Sequence, residues 1–396
     1  MILGTAKDTN DLFKTIRYAA KNSDRVSGLT HCHYKYPARF SPKFVASAIR
    51  TLTAPGDTVL DPYMGGGTTI VEAVGANRLA VGCDINSLAV FVARVKTATL
   101  SAREVAAIVH WALDTVPALN YRSSMAGFDD ITFDMRTRNL DLPHARAIKK
   151  FIALSLVSVR NLPSTIAENF ARCVILNAAQ WALNGRKSHV KLTTFRQRVT
   201  MTALQMLDAA NEYKKALEKH GVNSPKPILI QDTTENIGSA RCWQEGRLAD
   251  LVITSPPYPG VHVLYHRWQV DGRKETPAPY WIANKLDGQG VAYYNFGDRK
   301  QEDQEDYFAA SLRTLRGVRS VMKDEAPIIQ VLAFSEPKKH LPRYLANMEE
   351  AGFKEVIPTG TRYRRIWRDV PGRSWHAQLH GRTNSAREIV LIHEAN

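Results

Sequence analysis

The strongest constraint in this chain is an apolar strand that runs into three consecutive glycines and then into a helix, VLDPYMGGGTT, Val59 to Thr69. Successive glycines let the backbone turn sharply and approach a ligand closely, while the following helix start aims N–H groups at the same point. A second apolar run, LAVGCDI at 79–85, has strand length, and SLAVFVARVKTA at 87–98 has helical periodicity. Strand, helix, strand, helix in that order implies a parallel sheet covered by helices. The loop is neither G-x-G-x-x-G nor a Walker A loop, since no Lys follows the glycines. Upstream, Ser41-Pro42 opens a helix with proline at an early position, and 10–21 reads as a helix capped by Asn10 or Asp11.

The pattern changes after residue 99. SAREVAAIVHWALDTV, HARAIKKFIALSLVSVR, STIAENFARCVILNAAQWAL and TTFRQRVTMTALQMLDAANEYKKALEKH all carry helical spacing, with Ser164 an imperfect capping-box match and Thr194 and Gly221 bracketing the last helix. Strand character returns at PILIQD (227–232) and LADLVITSPPY (248–258). A polar, glycine- and aromatic-rich loop is expected over 259–302, followed by a helix at 304–322, a buried strand at 326–334 and a helix ending at Gly352. FKEVIP (353–358) and REIVLIHE (387–394) read as a closing hairpin with a long basic connection. The expected organisation is 1–99, 100–225 and 226–396, the middle part being a helical insertion in an α/β sheet that is doubly wound and mostly parallel.

Composition adds a charge argument. Lys plus Arg number 53 against 38 Asp plus Glu, a net of +15, which suits a polyanionic partner and says nothing about fold. Residues 136–220 alone carry 15 Lys/Arg against 5 Asp/Glu. The segment 360–387 carries seven Arg and one acidic residue, and 261–281 interleaves aromatics with His and Arg; both are expected to meet nucleic acid, against the plainer reading of a solvated charged face. The four cysteines lie far apart with no C-x-x-C, which excludes a zinc knuckle or disulfide framework and fits a reducing cytoplasm. No apolar h-region opens the chain and no run approaches the roughly 18 apolar residues of a membrane span. His31-x-His33, His262-x-x-x-His266 and His376-x-x-x-His380 lack a suggestively spaced third ligand, so no metal is expected.

Two features carry chemistry. Asp84 ends the second strand about 20 positions after the glycines, where an acidic side chain suits ribose hydroxyls; the plainer alternative is a glycine turn for packing and a capping Asp before Ile85-Asn86-Ser87. Thr254-Ser255-Pro256-Pro257-Tyr258-Pro259 follows the apolar LVI directly. Two prolines remove N–H donors, so carbonyls and the Ser255 hydroxyl are left as acceptors. Acceptors on an exocyclic amine withdraw its hydrogens and push nitrogen toward a tetrahedral shape, exposing its lone pair to an electrophile. Tyr258 offers a stacking face. The alternative is a proline-rich surface turn.

DPYMGGGTT, Asp84 and TSPPY together resemble the S-adenosylmethionine-dependent amino-methyltransferases of DNA, and HYKYPARFSPKF looks like the family motif beside the methionine end of the cofactor. The resemblance covers about residues 31–99 and 226–396 and implies a class I methyltransferase (Rossmann-like) sheet with a terminal antiparallel hairpin. It implies S-adenosyl-L-methionine as cofactor, held by Phe40, Asp61, Tyr63, Gly65, Gly66, Gly67, Thr68, Asp84 and Asp232, and catalysis by Ser255, Pro256, Pro257 and Tyr258. The plainer alternatives are that Asp61 caps the loop and that Asp232 merely starts the next turn; ligand contact is the favoured reading for each. The glycines precede the SPPY turn by about 190 residues, which resembles the class with the cofactor half first and the recognition region between the halves. One departure is that the insertion follows the second strand. No Pro-Cys pair supplies the thiol that cytosine C5 methylation needs. Double-stranded DNA is the implied partner, with a cognate restriction endonuclease as a functional companion; Ser255 implies cytosine N4 ahead of adenine N6. An RNA amino-methyltransferase and a non-catalytic DNA-binding module remain as alternatives.

Overall fold

All four residues of β1 (Thr58–Asp61) and β4 (Leu251–Thr254) and all six of β7 (Pro327–Leu332) are buried, which is why these strands read as unbroken apolar runs rather than alternating ones. A computed structural model of the chain describes residues 6–21, 26–36, 40–122, 133–186, 188, 190–221, 225–258, 267–270, 274–286, 296, 304–334, 336–359, 364–369 and 387–396. Parallel pairing sets Leu60 beside Val81 of β2 (Leu79–Cys83) and beside Val252 of β4, and Gly82 of β2 beside Leu229 of β3 (Ile228–Ile230). β4 pairs parallel with β7 through Ile253 and Ile329. β10 (Arg387–Ala395) then runs antiparallel to β7, with β8 (Phe353–Glu355) beyond it, in the order β3-β2-β1-β4-β7-β10-β8. This is the class I methyltransferase arrangement, with its antiparallel strand at the far side of the sheet. The chain winds outward from β1 through β2 to β3, then returns to β4 on the other side, so a topological switch point lies between β1 and β4.

Strand alternation divides the core into two layers. Val59, Ile253 and Val331 pack with α1 (Ala6–Ala20), α2 (Pro42–Leu52) and α3 (Thr68–Gly75). Leu60, Val252 and Leu332 pack with α10 (Glu305–Arg319) and α11 (Pro337–Glu350) on the opposite face. Between β2 and β3 stand α4 (Ser87–Lys96) and then, within 100–225 where the helical insertion is expected, α5 (Ala102–His110), α6 (Arg146–Ser158), α7 (Thr165–Leu183) and α8 (Leu192–Glu218). The insertion's core is continuous with Tyr34, Tyr36, Leu88 and Phe91, so it is packed into the flank of the sheet rather than appended to it.

Several local readings are corrected. α1 begins at Ala6, which puts Asn10 and Asp11 inside it, and α8 begins at Leu192 after Lys191, which puts Thr194 in its first turn. Ser164 does cap α7, accepting from the Ala167 N–H at 3.1 Å. The span expected as loop contains a small hairpin, β5 (Trp268–Val270) with β6 (Lys274–Thr276), and the short α9 (Ala278–Ala283). Trp268, Tyr280 and Trp281 are buried in the core of the insertion, and the Trp268 indole donates to the Tyr34 hydroxyl at 3.1 Å. These aromatics therefore hold the second half of the chain onto the insertion and are not exposed for bases; residues 261–266 lie outside the described residues. The closing hairpin also differs. β9 (Ile366–Asp369) pairs with the first half of β10 and β8 with the second half, because a nine-residue strand is long enough for two short partners. Residues 360–363 and 370–386 of the basic connection lie outside the described residues. Among the described residues, no helix is long and apolar enough to cross a membrane.

Truncating Trp268 tests this packing. Trp268→Ala should lower unfolding free energy by about 3–5 kcal/mol, read as a lower urea midpoint. An unmoved midpoint would place the indole on the surface, where the sequence alone had it.

Candidate active site

The crevice at the carboxyl ends of β1 and β4 is where an open α/β sheet binds ligands, because the loops there diverge to opposite faces. Both sequence motifs end at it. Asp61, the last residue of β1, is 2% exposed, and its Oδ1 accepts from the Thr254 hydroxyl at 2.8 Å and from the Tyr63 N–H at 3.2 Å. Thr254 is the last residue of β4 and the residue before Ser255. One buried hydrogen bond thus joins the glycine turn to the SPPY turn across 193 residues. Burial pushes the Asp61 carboxyl from 3.8 up to about 6.

Backbone shape accounts for the glycines. Gly65 and Gly67 have φ of 46° and 72°, the left-handed region that side chains resist. A Cβ on Gly66 would lie 2.6 Å from Cβ of Tyr36. The Gly66 carbonyl accepts from Nζ of Lys96, a cation 1% exposed at the end of α4, at 2.6 Å. α3 starts at Thr68, so its N–H groups open beside the turn. Asp84 closes the other side. Its Oδ2 accepts from the Gly65 N–H at 2.9 Å and its Oδ1 from the Asn86 N–H at 2.8 Å, and burial pushes it up to about 6. Asp84 therefore caps Asn86 and holds the glycine turn, which is the plainer of the two sequence readings. Asp232 Oδ1 accepts from the Thr233 N–H at 2.6 Å and the Asn236 amide at 3.3 Å, so it does start the next turn. The Cys83 thiol on the Asp232 carbonyl keeps it beside the end of β2.

Tyr63 turns toward α10. Burial drives its phenol well above the ordinary range, and its hydroxyl meets Thr234 and Thr314 while the ring packs edge-on to Phe296. Phe40 packs on Phe44 in the α1–α2 layer with ring centroids 5.9 Å apart. From the HYKYP segment it is Tyr36 that touches Gly65 and Gly66, a residue the sequence reading passed over. Its only sequence signal was its place in that aromatic run.

The SPPY turn is tied down on three sides. Ser255 Oγ donates to the Val331 carbonyl at 3.0 Å and stands 3.0 Å from the Tyr258 hydroxyl. The Tyr258 hydroxyl donates to Glu388 at 3.0 Å. The buried Tyr307 phenol donates to the Pro257 carbonyl at 2.8 Å. Pro256 is buried and Pro257 exposed. Glu388, Tyr307 and Lys96 were invisible to sequence reasoning, since each reaches its motif from a distant element.

The histidine pairs resolve in part. His31 Nε2 lies 2.7 Å from Glu72, and buried His33 packs edge-on to Phe170, its pKa lowered to about 3 by burial and the nearby Lys96 charge. His262, His266, His376 and His380 lie outside the described residues. Among the described residues, no group of three or more His, Cys, Asp or Glu is placed to hold a metal ion.

Fold and site together define a class I methyltransferase sheet whose switch-point crevice is lined by a glycine turn, an acidic residue closing it and a Ser-Pro-Pro-Tyr turn. Residues 4–93 match the N6/N4 methyltransferase family described as "DNA methylase", a span that includes α2, β1, the glycine turn and β2. Over 261 residues the chain is 24% identical to the Type II methyltransferase M.MvaI of Kocuria varians, covering 58% of this chain and 53% of that protein. It thus spans about half the length of this curated relative. Among solved structures it is similar to TrmN from Thermus thermophilus, at 10% identity and a TM-score of 0.31, over 90% of this chain and 49% of that one. The rRNA methyltransferase aviRa from Streptomyces viridochromogenes is similar at 12% identity and a TM-score of 0.37, over 95% of this chain and 96% of that one.

Asp61 gives a pH test. Its folded pKa of about 6 lies above its ordinary 3.8, so the stability it contributes is full below pH 3.8 and is lost as pH rises through 6. Asp61→Asn, which does not ionise, should gain on the native chain by on the order of 2 kcal/mol between pH 4 and pH 7. Urea titrations at both pH values check this; a constant gap would mean that Asp61 titrates normally.

Proposed function

We propose that this protein transfers a methyl group from S-adenosyl-L-methionine to an exocyclic base amine in double-stranded DNA, cytosine N4 ahead of adenine N6. The observation that carries the reading is the Asp61–Thr254 hydrogen bond, which sets a cofactor-type turn against an amine-type turn in one crevice. The residues present suit the cofactor. The left-handed turn at Gly65 and Gly67, with Gly66 between them, and the N-terminus of α3 suit its methionine moiety, together with Asp61 and Thr68, while Phe40 and Tyr63 are assigned to it on the resemblance alone. Asp84 suits the ribose hydroxyls, and Asp232 the adenine amine. When bound, the cofactor supplies an electrophilic methyl on a sulfonium.

Ser255 Oγ and the Pro256 carbonyl accept the two hydrogens of the amine, which frees the nitrogen lone pair from conjugation for in-line attack. Pro257, held by Tyr307, stiffens the turn, and Tyr258 stacks on a base extruded from the duplex. Bound there, the cofactor would supply the methyl, and the proton that the amine gives up on methylation would pass to solvent water. Ser255 favours cytosine because a short neutral acceptor suits the smaller ring.

Residues 1–99 and 226–396 form the catalytic halves in this reading, and 100–225 the recognition region. Its charge supports DNA contact, but not every cation is available. Arg136 donates to the Tyr280 and Lys285 carbonyls, Lys149 pairs with Asp141, and Arg172 pairs with Glu168. Arg365 and Arg368 of the basic C-terminal segment are likewise paired internally, with Glu355 and Glu388. Arg186 and Arg198 flank the Trp181 ring at 4.6 and 5.3 Å and suit a phosphate-facing surface. A reducing cytoplasm is the proposed setting, in keeping with four unbridged cysteines, and a cognate restriction endonuclease the proposed companion.

Incubating the protein with unmethylated duplex DNA and labelled cofactor, then digesting to nucleosides, should give N4-methylcytosine. Label on deoxyadenosine would sink the cytosine assignment, and no label the whole reading. Ser255→Ala should keep cofactor affinity and lose most turnover. Asp84→Ala should weaken cofactor binding by about 1.5–3 kcal/mol in a calorimetric titration. Duplex affinity should fall steeply between low and moderate salt; a flat response would remove phosphate contact as the main attraction.

A further inference from the structure

Glu388 and Arg368 face each other across the β9–β10 ladder, in register, with side chains 9% and 7% exposed. Arg368 places both Nε and Nη2 on one carboxylate oxygen, Oε2, at 2.8 and 2.7 Å. The other oxygen, Oε1, accepts from the Tyr258 hydroxyl. A buried ion pair contributes little net stability relative to apolar residues of similar size, so its geometry needs another account.

Counting hydrogens supplies one. Ser255 and Tyr258 own one hydroxyl hydrogen each. The Val331 carbonyl and the Glu388 carboxylate can only accept, and each takes one of these hydrogens. Ser255 Oγ, 3.0 Å from the Tyr258 oxygen, is then spared the Tyr258 hydrogen and keeps a lone pair for a donor from outside the turn. An exocyclic amine is such a donor.

We infer that Arg368 and Glu388 are positioning residues, which draw the Tyr258 hydrogen away from Ser255 so that the Ser255 oxygen keeps a lone pair for the substrate amine. This rests on the functional reading above. Arg368 fixes which carboxylate oxygen is left for Tyr258, and β10 delivers the pair by pairing with β7, where Ile389 stands opposite Leu332 beside Val331. Nothing in the sequence near the SPPY turn marks either residue.

The test uses the full chain with unmethylated plasmid DNA and labelled S-adenosylmethionine. Glu388→Gln should lower single-turnover methyl transfer by about 10- to 100-fold with cofactor affinity unchanged. Because that variant leaves a guanidinium buried without its counter-charge, Arg368→Met with Glu388→Leu is the companion: both charges go, the fold stays, and transfer falls alike. In a Tyr258→Phe background the pair's replacement should have no further effect, since the pair acts through the phenol. A second readout needs no turnover. In protein labelled with ¹³C at the tyrosine ζ carbons, the signal missing from Tyr258→Phe should shift when the pair is replaced. An unmoved signal, or equal losses in both backgrounds, overturns the inference. A wild-type chain that transfers no label overturns the functional reading instead, while the carbon signal still decides the hydrogen bond.

Discussion

The parallel pairing of β1 with β4, sealed by the Thr254 hydroxyl on the Asp61 carboxyl, is the constraint on which the rest depends. Such a bond contributes only about 1 kcal/mol net, but leaving a buried carboxyl unpaired costs more, so the two strand ends are held in one relative position. β1 carries the glycine turn and β4 the SPPY turn. Their loops cannot drift apart without stripping Asp61 of its partner. The site is thus a by-product of sheet register, made where the winding direction reverses.

The glycine turn is also gripped by residues that border the insertion. Tyr36 crowds Gly66, Lys96 holds its carbonyl, and Ala93 sits where a side chain on Gly67 would go. Tyr36, Tyr34 and α4 share one core with α7 and with Trp268. A displacement of the insertion is therefore transmitted to the turn by direct packing. The insertion and the glycine turn are thus packed together at this edge.

Charge divides into two populations. Some cations serve the interior, as Arg136 does by capping the end of α9 and Arg368 by pairing across a ladder. Others, such as Arg186 and Arg198, lie against the Trp181 ring and are half-buried. Net charge counts both equally, so it indicates a polyanionic partner without saying which residues meet it.

The sequence by itself determined β1 to β4, β7, β8 and β10, the glycine turn, the run of helices after α4 and the placing of SPPY after a buried strand, because each is written in local periodicity and backbone chemistry. Apolar runs of strand length, a helical spacing and three adjacent glycines need no distant partner to be legible. Only the tertiary structure decided that Trp268 and Tyr280 are core rather than base contacts, since burial depends on what packs from elsewhere. Only it showed β9, a four-residue strand hidden in a basic run and stabilised by pairing with β10. Tyr36, Lys96, Tyr307 and Glu388 likewise reach the crevice from elements remote in sequence. An arginine among arginines reads as a phosphate contact until a facing glutamate, set by ladder register, turns it inward.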